Sequence, residues 1–458
     1  MTRPNILFIV LDTLRKDYSV PVTTILKKWG FHLYENVISP SPWTMPSHVS
    51  MFTGMYPFVH GIHETRGKGI FDVKITDKVR LLSETLHSLG YTNFLLSANP
   101  FVTRSFGFGG FKYYYEPSFT PKDRFVSPET RLQLRKIIKE NKLWSFSKIL
   151  KYLILQRDIN LIKYGLSVKI LDGPVAFMYG KIKSWPFKKG GEDICKYIYN
   201  NAMLVRKHTP FFMFINMMEV HDPYFRGVCG KLPIIANLDS RKQLREKLLN
   251  EKCLKRIRCS YMKEVVYASK ILDDILEFFE DTNLLDNTLL IVSSDHGQLL
   301  GDYGRFNHGI FLYDELISVP LYVRYPDGKR IDSVKTNQYI SLKEIYKLIL
   351  GYARSRHVKS NLLYSDTVFA ESYGMQVKFD WKLTDADRRA IEKLERYKLA
   401  IYHNGIKGVF DVQSWKFENF KTYDPNIDIN GEVIRQMKKE VVKFLKTTTV
   451  SRIPKIKI

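Results

Sequence analysis

Acidic residues are scarce in this chain relative to basic ones. Its 458 residues include 47 Asp and Glu against 71 Lys and Arg, a formal net charge of +24. That imbalance argues against basic partners and leaves anionic ones: a polyanion, an anionic lipid surface or a negatively charged substrate. A solvated basic surface explains the same number with no partner at all. Cysteine is thin too. The four present, Cys195, Cys229, Cys253 and Cys259, form no C-x-x-C pair, which argues against a zinc knuckle and leaves free thiols and disulfides both open. No apolar run approaches the roughly 18 residues of a membrane-spanning helix. The short apolar run that follows Arg3 and ends at Asp12 lacks the length and the cleavage site of a secretory leader. The expectation is a soluble, cytoplasmic protein. There is no internal repeat, no low-complexity tract, and nothing that points to specific nucleic-acid recognition.

What is present is a large core. Hydrophobic residues make up 45% of the chain, enough for one big domain with an appendage or for two domains. Continuous apolar runs at Asn5–Leu11, Thr92–Ser97, Phe211–Met217 and Thr288–Ser293, with a shorter one at 319–323, read as strands covered on both faces. Helical spacing of apolar residues over 79–89 and 261–279 places helices between them. Strands alternating with helices predict a large, mainly parallel sheet sandwiched by helices, assigned to residues 1–350. From 351 to 458 the pattern changes to short strands at 397–402, 408–410 and 416–417 and a closing helix over 432–445, which predicts a smaller antiparallel sheet with a terminal helix. A basic, amphipathic helical insertion occupies about 128–195, with Arg131, Arg135, Lys136 and Lys148 among Leu143, Trp144, Phe146 and Ile149. It reads either as a cap packed on the domain or as a contact for anionic membrane or polyanion.

In open α/β sheets, ligands bind beyond the carboxyl ends of the strands. Asp12 follows one apolar strand directly, and Ser294-Asp295-His296-Gly297 follows another. Both therefore point to one rim. Ser41-Pro42-Trp43-Thr44-Met45-Pro46-Ser47-His48 offers a hydroxyl in a proline-flanked turn. Asp12, Thr44, Asp295 and His296 together supply the donors for one divalent cation beside a nucleophilic hydroxyl, the arrangement of a metal-assisted hydrolase of charged esters. Oxygen ligands with one nitrogen suit Mn²⁺, Zn²⁺, Mg²⁺ or Ca²⁺. His221, ending a predicted strand, and His308, in a Gly-flanked loop, are candidates to donate to substrate oxygens, to protonate a leaving group or to hold a second metal. Arg305 is a further candidate donor to a substrate oxygen.

These motifs, in this order, resemble the sulfatase family of the alkaline phosphatase superfamily. The resemblance runs from Pro4-Asn5-Ile6 to Asp12, through Thr44-Met45-Pro46-Ser47-His48 and Thr53-Gly54, to His221-Asp222-Pro223-Tyr224, Ser294-Asp295-His296-Gly297, Gly301-Asp302-Tyr303-Gly304 and Asn307-His308-Gly309. It implies a metal site at the rim of a large α/β domain and a small C-terminal sheet. The departures are informative. The best-known sulfatases open their signature with Cys or Ser, converted to formylglycine, and close it with Arg; here the positions hold Thr44 and His48, the latter a candidate substrate-binding residue. Thr13 stands where those enzymes carry a second Asp. The set is more similar to relatives that use an unmodified threonine on phosphorus, such as nucleotide phosphodiesterases and lipoteichoic acid synthases.

A formal charge count favours monoanionic substrates. One divalent cation with two carboxylates and a Thr44 alkoxide sums to about −1, which repels a dianionic phosphate monoester. Phosphodiesters, phosphonate monoesters and sulfate monoesters fit better. A threonine sulfate lacks the hydrate exit of formylglycine and would need water to attack sulfur, so a phosphorus ester through a Thr44 covalent intermediate leads. The alternatives are a sulfatase without formylglycine, transfer to an alcohol acceptor, and a non-catalytic polyanion-binding module.

Overall fold

The computed structural model describes residues 3–63, 73–76, 78–117, 137, 140–141, 146–156, 159, 162, 189–222, 224, 250–326, 328, 338–355, 363–374 and 384–450. In chain order the strands are β1 (Asn5–Leu11), β2 (His32–Tyr34), β3 (Val37–Ile38), β4 (Thr92–Ser97), β5 (Tyr113–Tyr115), β6 (Phe211–Met217), β7 (Thr288–Ser293), β8 (Leu299–Leu300), β9 (Phe306–Asn307), β10 (Leu321–Arg324), β11 (Tyr339–Ser341), β12 (Tyr364–Ser365), β13 (Thr367–Ser372), β14 (Lys398–His403), β15 (Ile406–Asp411) and β16 (Lys416–Thr422). Seven of them form the main sheet, in the order β2-β10-β7-β1-β6-β4-β5. β1 lies in the middle, parallel to β6 on one side and β7 on the other.

All seven residues of β1 are buried. Because successive side chains point to opposite faces, Ile6, Phe8 and Val10 join one apolar layer and Leu7, Ile9 and Leu11 the other. The first layer holds the helix Thr44–Thr53 through Met45, Val49 and Phe52. The second holds the 31-residue helix Glu251–Asp281 through Val265, Ala268, Leu272 and Ile275. A strand covered on both faces needs a continuous apolar run, which is why β1, β4, β6 and β7 are legible from composition alone.

Two differences from the sequence reading have local causes. The long helix starts at Glu251, not near 261, because Asn250 caps it by accepting the Cys253 amide at 2.9 Å. Its first turns carry Lys252, Lys255, Arg256 and Arg258 rather than an apolar stripe. The segment read as a strand over 319–323 is β10, which runs antiparallel to β7 and to the edge strand β2.

The boundary expected at residue 350 falls within the helix Ile345–Ser355, whose Leu348, Ile349 and Ala353 belong to the first apolar layer. The antiparallel sheet β13-β14-β15-β16 follows it. One face of that sheet packs on Met437, Val441 and Phe444 of the closing helix Gly431–Val450. The other packs on Leu299, Leu312, Leu316 and Ile317 of the main domain. Asp314 ties the two parts together, accepting from Lys407 at 2.7 Å, Lys421 at 2.6 Å and Tyr402 at 2.7 Å.

Of the basic insertion, the helix Phe146–Leu155 is described, with Leu153 buried; Arg131, Arg135, Lys136, Leu143 and Trp144 lie outside the described residues. Cys259 is disulfide-bonded, Cys195 and Cys253 are free thiols, and Cys229 lies outside the described residues. No described helix is long and apolar enough to cross a membrane.

Candidate active site

The carboxyl ends of β1, β4, β6 and β7 deliver Asp12, Asn99, His221 and Asp295-His296 to one edge of the sheet. One ligand atom from each of Asp12, Asp295 and His296 lies within 4.8 Å of the others, and all three residues are fully buried. Thr44 opens its helix instead of lying in a free turn. Pro46 is tolerated there because a first-turn residue needs no amide donor. The helix amino end places unpaired amides and partial positive charge beside the Thr44 hydroxyl. That hydroxyl is 3.3 Å from His296 Nε2.

The residues present fit a divalent cation. His296 Nδ1 donates to the Gly297 carbonyl at 2.9 Å, so Nε2 turns a lone pair inward. At 3.3 Å it meets Asp295 Oδ2, a second acceptor. Two acceptors facing one another in a buried site repel unless a cation lies between them. Asp12 Oδ1 and Asp295 Oδ2 are buried without hydrogen-bond partners, whereas Asp295 Oδ1 accepts the amides of His296 at 2.9 Å and Thr13 at 3.3 Å. Burial pushes the Asp295 carboxyl up to about 7 against the pull of those amides, and raises Asp12 well above the carboxylate range, with Asp295 adding to the effect. Burial also holds His296 down to about 3, in the neutral, ligating form. Asp12, Asp295 and His296 are thus the residues that would hold the ion, with the Thr44 oxygen alongside.

Gly297 is required by close approach. A Cβ there would lie 1.9 Å from the Glu315 carbonyl oxygen, where the chain turns past Asp314–Ile317. Thr13 takes a left-handed conformation, φ 62°, and its Oγ1 is buried without a partner. For a β-branched residue this backbone costs on the order of 1–3 kcal/mol, the kind of strain that collects at functional sites.

His221 and His308 stand together above the carboxylates. Their ring centroids are 5.2 Å apart, and His308 is 4.4 Å from His296. His221 Nδ1 donates to the Asp222 carbonyl at 2.7 Å. Gln298 donates to Asp222 Oδ1 at 3.3 Å, so its own oxygen accepts from His308 Nδ1 at 2.6 Å. Burial, then His296 and His221, hold His308 well below its usual pKa.

Two further candidates have other partners. His48 Nδ1 lies 3.5 Å from Asp295 Oδ2. His48 is fully buried one helical turn below Thr44, with Nδ1 on the Thr44 carbonyl at 2.9 Å and Nε2 on Asn216 at 2.8 Å. It holds the first turn of the Thr44 helix from beneath. The Arg305 guanidinium lies over the Phe311 ring, 4.8 Å from its centroid. Sequence reasoning missed Asn99, which donates to Asp12 Oδ2 at 2.6 Å. The strand-end rule that found Asp12 also reaches it, two residues beyond β4. Gln298 and Asp222 carry no such signal.

Residues 4–355 match the sequence model of the sulfatase family. The chain belongs to that family. Among relatives of this sulfatase-family protein, the ulvan-active sulfatase of Formosa agariphila is 22% identical over 407 residues, 85% of this chain and 68% of that one. The N-acetylglucosamine-6-O-sulfatase of Bacteroides thetaiotaomicron is 34% identical, over only 18% of this chain and 14% of its own length. Among solved structures, a phosphonate monoester hydrolase from Silicibacter pomeroyi superposes with a TM-score of 0.62 at 12% identity, covering 99% of this chain and 97% of that one. The fold is therefore alkaline phosphatase-like, and the protein is an ester-bond hydrolase of a metal-dependent family whose relatives act on anionic esters.

Proposed function

We propose that this protein hydrolyses a monoanionic phosphorus ester, a phosphodiester or phosphonate monoester, through a covalent intermediate on Thr44. The observation that carries the proposal is the Thr44 hydroxyl at a helix amino end, 3.3 Å from an inward-facing imidazole nitrogen and beside two orphaned carboxylate oxygens. A bound divalent cation would lower the pKa of the Thr44 hydroxyl and offset charge on the ester oxygens. The deprotonated Thr44 oxygen attacks phosphorus; the new O–P bond forms as the bond to the leaving oxygen breaks. His221 gives its Nε2 proton to that oxygen, which departs as the alcohol. Water then attacks phosphorus and gives its proton to His308 Nε2, and the Thr44 O–P bond breaks to release the acid and return the deprotonated Thr44 oxygen. His308 passes its proton through solvent to His221, which resets both imidazoles. His48 and Asn216 hold the helix end that carries Thr44.

A panel of 4-nitrophenyl esters tests this reading. The phosphodiester and phosphonate should turn over at least tenfold faster than the sulfate, and a brief quench should trap on Thr44, by mass spectrometry, the phosphorus group with its retained substituent. A Thr44→Ala protein with full activity would refute the nucleophile. Sulfate turnover above phosphodiester turnover would favour the second reading, a sulfuric ester hydrolase without formylglycine, which the match of Formosa agariphila ulvan-active sulfatase over 85% of this chain supports.

A further inference from the structure

Lys189 is 2% exposed. Its Nζ donates to the carbonyls of Glu219 at 2.8 Å and His221 at 2.5 Å. Glu264 Oε1, from the helix Glu251–Asp281, lies 3.6 Å away, and the Tyr224 ring centroid lies 5.7 Å away. Glu219 Oε1 in turn accepts the Gly191 amide at 2.7 Å. Gly191 has no side chain for a reason: a Cβ there would lie 2.6 Å from Glu219 Oε2. A lysine buried this completely is uncommon unless something fixes it. Here it closes the turn that follows β6, and that turn carries His221.

We propose that Lys189 is a positioning residue for His221. Two successive carbonyls of this turn are held. The first, that of His221, accepts from Lys189, and the next, that of Asp222, accepts from His221 Nδ1. Fixing the first fixes the orientation of the second, and so the direction in which the His221 ring presents Nε2. The ammonium supplies a charge that binds two carbonyls from one point, which a neutral donor cannot match. Desolvation lowers the Lys189 pKa, and Glu264 and Glu219 oppose that shift. Lys189 lies near the end of the basic insertion and precedes the helix Gly191–Asn200.

The proposal rests on the reading of His221 as the group that protonates the leaving oxygen, and the test separates the two. Lys189→Met, His221→Ala and the double variant are assayed on aryl esters with leaving groups from 4-nitrophenol to phenol. Lys189→Met should lower kcat on the phenyl ester about 10- to 100-fold, the scale of a misplaced catalytic group. It should change kcat little on the 4-nitrophenyl ester and leave KM within about threefold. The double variant should be no slower than His221→Ala. Equal losses across leaving groups, or losses that multiply in the double variant, would overturn the proposal. Lys189→Gln, which keeps a donor but not the charge, should fall between wild type and Lys189→Met. Nitrogen NMR of ¹⁵N-histidine protein covers a failed fold or an absent activity. Lys189→Met should shift the His221 ring signals and leave those of His48 in place. If no ester is turned over, the catalytic reading fails, and unmoved His221 signals would then reject Lys189 as its positioning partner.

Discussion

At the residue scale the site is a balance of buried acids and neutral imidazoles. Asp295 is held at about 7 and Asp12 well above its ordinary value by burial. A carboxyl whose folded pKa is raised stabilises the fold relative to the charged form at low pH, and that advantage is lost as pH rises through the folded pKa. Protein stripped of metal by a chelator should therefore lose stability between about pH 4 and pH 7, by on the order of a few kcal/mol. Added Mn²⁺ should remove most of that slope, because the ion replaces the protons. Thermal melts at several pH values, with and without Mn²⁺, measure it; identical slopes would speak against a cation at Asp12, Asp295 and His296. Thr44→Ser keeps an oxygen at the helix end and should retain measurable turnover, whereas Thr44→Ala should lose about three orders of magnitude or more in kcat.

Elements position these residues, and their tight places are testable. The Gly297 contact leaves no room for a methyl group, since the obstacle is the Glu315 backbone. Gly297→Ala should cost about 1–3 kcal/mol in urea unfolding and weaken metal binding, because the shift falls on the peptide next to His296. At the other junction, Asp314 is held well below the carboxylate range, burial opposing and Lys407, Lys421 and Tyr402 outweighing it. Lys407 is 6% exposed and relies on that carboxylate. Asp314→Ala would leave a buried cation unpaired and should destabilise the protein by about 2–4 kcal/mol. Hydrogen exchange should rise first in β14, β15 and β16, with β1 and β6 unaffected.

For the whole molecule, what the sequence made legible follows from physics that leaves a local mark. β1, β4, β6 and β7 were readable because burial on both faces demands unbroken apolar runs, and Asp12 and Asp295 because a polar residue ending such a run lies at the sheet rim. Thr44 and His296 also came together as expected, 3.3 Å apart. β2 was harder, since a three-residue edge strand carries little pattern, and the antiparallel direction of β10 leaves no local mark. The partners of His48, Asn216, Phe108 and Phe214, were not legible because they come from other segments. Lys189 was hidden in a run of lysines, where nothing local distinguishes a buried cation from a solvated one.

The order of strands carries a consequence for how the chain is made. β1 is synthesised long before its neighbours β6 and β7: Ile6 pairs with Phe212 on one side and Leu289 on the other. On the ribosome, its apolar residues must wait for β6 and β7 to emerge before finding partners. Until then they are open to chaperones or to the same segment of another nascent copy.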